Sequence, residues 1–269
     1  MKEITAKKAQ IDITNGFSAY CIHNEETTEL RLYADKGTNG ELLIAYDGTQ
    51  ADLHIDVEAQ ADCELRMLFW NRITDKLSFH LTMDEIGNST VHIAIADLEE
   101  CAADYHITST LSTSDASVQV TTVCMAKHKH WLMKMNHHHE HTHSVMRNFA
   151  VVDENGDYRM EAGGVIQKGA YESSTHQQTR VLTMSENQKS EVLPILLIDE
   201  NEVKASHATT LGQPDADQLY YLQSRGLTLK QALGLMKLGY LFPITEIFTD
   251  AELQKQLRRQ VEEKVMNHD

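Results

Sequence analysis

The stretch Val203–Leu227, VKASHATTLGQPDADQLYYLQSRGL, decides how the chain is read, because two kinds of local structure meet inside it. An apolar approach, Pro194–Ile198 and then Val203, leads into Ser206–Gly212, which reads as a strand and the turn that leaves it. Asp215 then offers a carboxylate to the orphan N–H groups of a first helical turn. Tyr220, Tyr221 and Leu222 follow as a core-facing patch, and Gly226 ends the helix by taking left-handed backbone. Upstream of this junction the hydrophobic period is two. Downstream it is 3.6.

Upstream, Leu42, Ile44 and Tyr46 stand at alternate positions. So do Leu53, Ile55 and Val57, then Leu77, Phe79 and Leu81, then Val91, Ile93 and Ile95, and later Val118 and Val120. Such alternation marks strands with one buried face. They recur at a spacing of roughly 10–13 residues, with turns expected at Asp47-Gly48 and Gly87-Asn88 and corners at Gly163-Gly164 and Gly169. Regular short strands fit a sandwich, a barrel or a β-solenoid, and periodicity does not choose among them.

Downstream, helices are expected over Asp215–Arg225, over Thr228–Leu241 with Phe242-Pro243 breaking it, and over Asp250–Met266. The last carries an apolar stripe of Leu253, Leu257, Val261 and Val265. The division is therefore a β core over 1–213 and a helical region over 214–269, the helices packing on the end of the core.

The chain has 269 residues, enough for one large core, and a formal net charge of -16. That charge argues against nucleic acid and against an anionic membrane surface, both of which need clustered Lys and Arg. No apolar run reaches the roughly 20 residues that span a bilayer, and the first residues lack the apolar segment of a signal peptide. A cytoplasmic location is expected. Cys21, Cys63, Cys101 and Cys124 are scattered and read as reduced, buried thiols, none with a His or Lys beside it in sequence. Phosphate-loop and GxSxG motifs are absent, so the chain itself is not expected to be an ATPase or a serine hydrolase of that type.

The order Ser206-His207-Ala208-Thr209-Thr210-Leu211-Gly212, Asp215, Leu219-Tyr220-Tyr221-Leu222, Ser224-Arg225-Gly226-Leu227 resembles a segment near the C-terminus of the Suf-type iron–sulfur cluster assembly proteins, SufB and SufD. The resemblance is good from Tyr105 to Leu241 and weak upstream. It implies a right-handed parallel β-helix with a C-terminal helical region. It also implies a non-enzymatic component of an assembly complex, handling a transient iron–sulfur cluster. The implied partners are a SufB-like paralogue, or a second copy of itself as a homodimer, and a SufC-like ATPase docked on the helical region. The alternative is an interaction solenoid that has lost cluster chemistry. An enzyme, as some solenoids are, is a weaker third reading.

The resemblance places His207 where two partner solenoids meet, as a ligand for cluster iron. Two departures bear on this: Ala205 stands where many SufD-like proteins have Cys, and Ala208 where SufB-like proteins have Glu. The pattern is that of a supporting subunit. A second candidate comes from the residues themselves. If His137–His143 is one strand, then His137, His139, His141 and His143 share a face about 7 Å apart, and His137 and His139 become metal ligands. Tyr240 and Phe242 are candidate anchors for the ATPase, since aromatic residues dominate interface hot spots.

Overall fold

The computed structural model describes residues 1–23 and 27–267. Among the described residues thirteen strands, all paired in parallel, form one continuous ladder that coils as a β-solenoid of about 7 turns. They are β1 (Lys2–Ile4), β2 (Lys8–Ile13), β3 (Gly16–His23), β4 (Thr27–Ala34), β5 (Asn39–Ala59), β6 (Glu64–Ile86) and β7 (Thr90–Asp97). Then come β8 (Ala102–Leu111), β9 (Ser117–His137), β10 (His143–Ile166), β11 (Ser174–Thr183), β12 (Lys189–Ile198) and β13 (Lys204–Gly212).

Register defines the coil. Glu64 pairs with Thr90, Thr90 with Ser117 and Ser117 with His143, so one turn takes about 26 residues. The last turns are longer, about 31 residues, as in the pairing of His143 with Ser174. Strands β5, β6, β9 and β10 are long because each runs down one wall, bends and continues along a second. The first wall holds β1, β3, β7, β11, β13 and the leading halves of the long strands. The second holds β2, β4, β8, β12 and their trailing halves.

The alternating residues point into the lumen as expected: Leu42, Ile44, Leu53, Phe79, Val91, Ile93 and Val118 are all buried. On the second wall Phe79, Tyr105 and Trp131 stand on successive rungs, and the Tyr105 and Trp131 rings stack at 3.7 Å. Two expected turns differ. Asp47-Gly48 is a bend inside β5, with the register slipping after Gly48, which has φ 147°. Gly163-Gly164 lies inside β10 rather than at a corner; a Cβ on Gly164 would come within 2.6 Å of Thr175 Oγ1 on the next rung. Gly87-Asn88 does separate β6 from β7, and Gly169, at φ 94°, is a corner between β10 and β11.

Three helices follow: α1 (Ala216–Ser224), α2 (Leu229–Leu241) and α3 (Ala251–Asn267), with a 3₁₀ turn, Phe242–Glu246, between the last two. Asp215 caps α1 by accepting from the Gln218 N–H at 2.8 Å. Thr228 and Gln231 form a reciprocal capping box on α2.

The helices do not sit on the end of the solenoid. They lie along the outer face of the first wall, where Leu68, Trp70, Ala94, Ala96, Val123, Met125, Phe149 and Val151 form a second core with Leu238, Leu241, Ile244, Phe248, Leu257, Val261 and Val265. Each buried Leu, Ile, Val, Met or Phe among them contributes about 1.5–3 kcal/mol of transfer free energy before entropy is counted. Polar contacts fix the position. Glu41 accepts from the Thr249 N–H and hydroxyl at 2.8 and 2.7 Å, Lys237 pairs with Asp153, and Lys264 pairs with Glu99. The first-wall segments Leu68–Trp70, Ala94–Ala96, Val123–Met125 and Phe149–Val151 are thus buried on both faces, which explains their continuous apolar runs.

Candidate functional site

Because the helices cover the flank, the C-terminal end of the solenoid is left open. Strand β12 pairs with β10, β13 pairs with β11, and among the described residues the opposite edge of each is unpaired. Residues Lys204–Leu211 are all exposed, Leu211 at 47%, and Leu197 of β12 is 57% exposed. An unpaired strand edge is a row of backbone donors and acceptors that another strand can complete.

His207 lies on β13 in this open rung. Its register column runs Leu42, Met67, Ile93, Val120, Met146, Gln177, His207, which is the inward-facing column of the first wall. The column beside it runs Ile44, Phe69, Ile95, Thr122, Asn148, Thr179, Thr209. Both change from apolar to polar toward the open end. Thr122 donates to Asn148 at 3.0 Å, and Asn148 donates to Thr179 at 3.2 Å. Gln177, buried one rung below His207, donates to the Ile195 carbonyl at 2.8 Å, while its Oε1 has no hydrogen-bond partner among the described residues. A buried acceptor without a partner costs about 1–3 kcal/mol, and it sits directly beneath the exposed rung.

The lumen holds a second polar group. Lys129 and Asp97 pair at 2.8 Å, both fully buried; Tyr105 and Asn71 each donate to Asp97 at 2.8 Å. Lys129 Nζ donates to the Cys101 carbonyl at 2.6 Å and lies 3.2 Å from its Sγ. No lysine stands beside a cysteine in sequence, as read above; this partner is 28 residues away in sequence and one coil away in space. Burial, then Asp97, nevertheless pushes the Cys101 thiol above its ordinary pKa. All four cysteines are buried, so none stands at the open end.

The histidine tract is a corner, not a strand. β9 ends at His137 and β10 begins at His143. His137 is fully buried, its Nδ1 2.8 Å from Thr142 Oγ1 and its Nε2 2.8 Å from Ser144 Oγ, so neither ring nitrogen is free for a metal. Burial, then the charge of His143, lowers its pKa to about 4. His139 is exposed, and its carbonyl accepts from Thr142 and Ser173. The shared face expected of the two does not form, because the chain turns between them.

Tyr240 and Phe242 are half-buried against the second core, with Arg180 over the Tyr240 ring and Arg258 over the Phe242 ring. The free apolar surface of the helical region lies elsewhere. Tyr220 and Tyr221, expected to face the core, are 76% and 56% exposed, and Leu229 and Leu235 are also exposed. Nothing in α1 is buried.

Among the described residues two groups bring three potential ligand atoms within 4.8 Å of one another: Cys21, His23 and Asp47, and Asp52, His54 and His80. In the first, burial, then Asp47, pushes the Cys21 thiol up to about 12. Neither group stands out in sequence, because the members come from different coils.

A family model described as the SufBD core domain of SUF-system FeS cluster assembly matches residues 9–240. The chain is 39% identical over 123 residues to the iron-sulfur cluster assembly protein SufD of Bacillus subtilis (strain 168), a match covering 46% of this chain and 27% of the relative. It is 30% identical over 109 residues to a SufBD family protein of Synechocystis, covering 40% and 24%. Against SufD of Escherichia coli (strain K12) the figures are 29% over 84 residues, covering 31% and 20%. The chain thus matches about a quarter of the length of these curated relatives.

Proposed function

This chain belongs to the SufBD core family, and from that membership we propose that it is a non-catalytic component of iron–sulfur cluster assembly that works by pairing its open solenoid end with a second solenoid. The observation that carries the reading is the uncovered rung β12–β13, with His207 on its inward column. A second solenoid of the same family, a SufB-like paralogue or another copy, would satisfy the free backbone groups by strand addition. It would also cover the apolar side chains Leu197 and Leu211.

The cluster is cargo in this scheme. A neutral imidazole at His207 is a suitable donor to iron. Thiolates are the usual cluster ligands, and the open end offers none, since Ala205 occupies the strand and every cysteine is buried. The soft ligands must then come from the partner, and cluster should bind to the pair rather than to the isolated chain. A SufC-like ATPase would dock on the helical region, where Tyr220, Tyr221, Leu229 and Leu235 offer exposed apolar surface.

The same absence of thiolate favours a second reading, a solenoid that pairs and docks but no longer holds cluster. Anaerobic reconstitution with ferrous iron and sulfide distinguishes the two. Iron and sulfide retained by the pair, and not by the isolated chain, supports the first. A stable pair without iron supports the second. A chain that stays monomeric and recovers no Suf-type partner from its host overturns both.

A further inference from the structure

The outer face of the second wall carries a histidine ladder that the assembly role does not use. His54 of β5, His80 of β6 and His106 of β8 are register partners on successive coils. Their rings stack, His54 on His80 at 4.5 Å and 6°, and His80 on His106 at 4.8 Å and 9°. The column beside it holds Asp52, Ser78 and Asp104. Strand spacing of about 4.8 Å and side-chain alternation put these groups together on one face, so the cluster follows from the coil itself.

From this juxtaposition we infer that Asp52, His54 and His80 form a binding site for one divalent first-row transition ion, held by three protein ligands with positions left open to water. The ligand atoms already lie within 4.8 Å of one another. Around a tetrahedral ion with bonds of about 2.1 Å they would stand roughly 3.4 Å apart, which small side-chain rotations supply. The Asp52 carboxylate is oriented for this. Its Oδ2 accepts from Thr27 at 3.0 Å, which leaves Oδ1 toward His54 Nε2 at 3.3 Å. Such an outer hydrogen bond is how a ligand carboxylate is held in place. His80 Nε2 lies 3.1 Å from Ser78 Oγ, a contact the ion would replace.

Two imidazoles and one carboxylate suit ions of the Fe²⁺, Co²⁺, Ni²⁺ and Zn²⁺ series rather than Mg²⁺ or Ca²⁺. Three ligands on a half-exposed face make an exchangeable site, since closed structural sites take four. The site is on the opposite wall from the helices and depends on neither His207 nor a partner.

Cobalt is the probe. The isolated chain is titrated anaerobically with Co²⁺, followed by visible absorption and by broadening of the imidazole signals in NMR. The expected result is one tight equivalent that broadens the signals of His54 and His80 first and raises the melting temperature. His80→Gln, His54→Gln and Asp52→Asn should each weaken that equivalent at least tenfold and abolish its thermal shift. A His138→Asn/His139→Asn variant should retain it. The inference is overturned if the first equivalent broadens only the corner histidines 138–143 or His207. It is also overturned if the three variants bind cobalt as the unaltered chain does. The NMR reading uses the unaltered protein and so stands even if a variant fails to fold.

Discussion

Lys129 and Asp97 form an ion pair sealed inside the solenoid lumen, with Nζ and Oδ2 2.8 Å apart and neither side chain exposed to solvent. The pair bridges one coil, because Asp97 ends β7 and Lys129 stands on β9. Burial alone would discharge the lysine, but Asp97 and then Cys101 hold its pKa above the ordinary value. Tyr105 and Asn71 satisfy the carboxylate, so the group is closed to water and saturated.

Removing one member should therefore cost far more than removing both. Lys129→Met leaves a buried carboxylate without a counter-charge and is expected to destabilise by about 3–5 kcal/mol. Lys129→Met with Asp97→Asn should recover a large part of that loss. Denaturant unfolding of the two single variants and the double variant measures this. A Lys129→Met loss below about 1 kcal/mol would mean that water or another cation reaches Asp97.

His137 gives the fold a dependence on pH. The folded chain holds it neutral, with a pKa of about 4, while the unfolded chain takes up a proton near pH 6.5. Its contribution is complete above about pH 6.5 and is lost as the pH falls toward 4, because only the unfolded state is then protonated. The full difference is on the order of 3 kcal/mol. Unfolding curves between pH 7 and 4 should fall less steeply for His137→Asn than for the unaltered protein. Parallel curves would show that the corner opens and lets His137 titrate freely.

The flank-packed helices separate stability from docking. Phe242→Ala removes a half-buried ring from the second core and should cost about 1–3 kcal/mol. Tyr220→Ala with Tyr221→Ala should leave the melting temperature within about 1 °C, since both are exposed, and should weaken binding of the ATPase partner. If ATPase binding persists in the tyrosine variant and is lost in the Phe242 variant at a temperature where both are folded, the docking surface is the half-buried face instead.

These contrasts show what the sequence could and could not carry. Alternation at Leu42–Tyr46 or Val91–Ile95 exposed the lumen-facing column directly, and Asp215, Thr228 and Gly226 marked the helix ends because caps are local chemistry. The flank position of the helices was also written there. Leu68-Phe69-Trp70, Ala94-Ile95-Ala96 and Val123-Cys124-Met125 are apolar on consecutive residues, the mark of a strand buried on both faces. The Lys129–Cys101 contact and the Asp52–His54–His80 group were hidden, because the coil brings together residues about 26 apart and no short motif records that distance. The His137–His143 tract misled for the opposite reason. Adjacent histidines suggested one face, and the turn at 138–142 divides them.

We propose that His207 acts at a solenoid–solenoid interface as a ligand to cluster iron. One measurement tests it most directly: iron per assembled pair, purified anaerobically, for the unaltered chain and for His207→Ala, with the mass of the pair taken by light scattering. An interface of standard size has many contacts besides one histidine, so the variant should still pair, while losing most of its iron. An unchanged iron content in an intact His207→Ala pair would contradict the account.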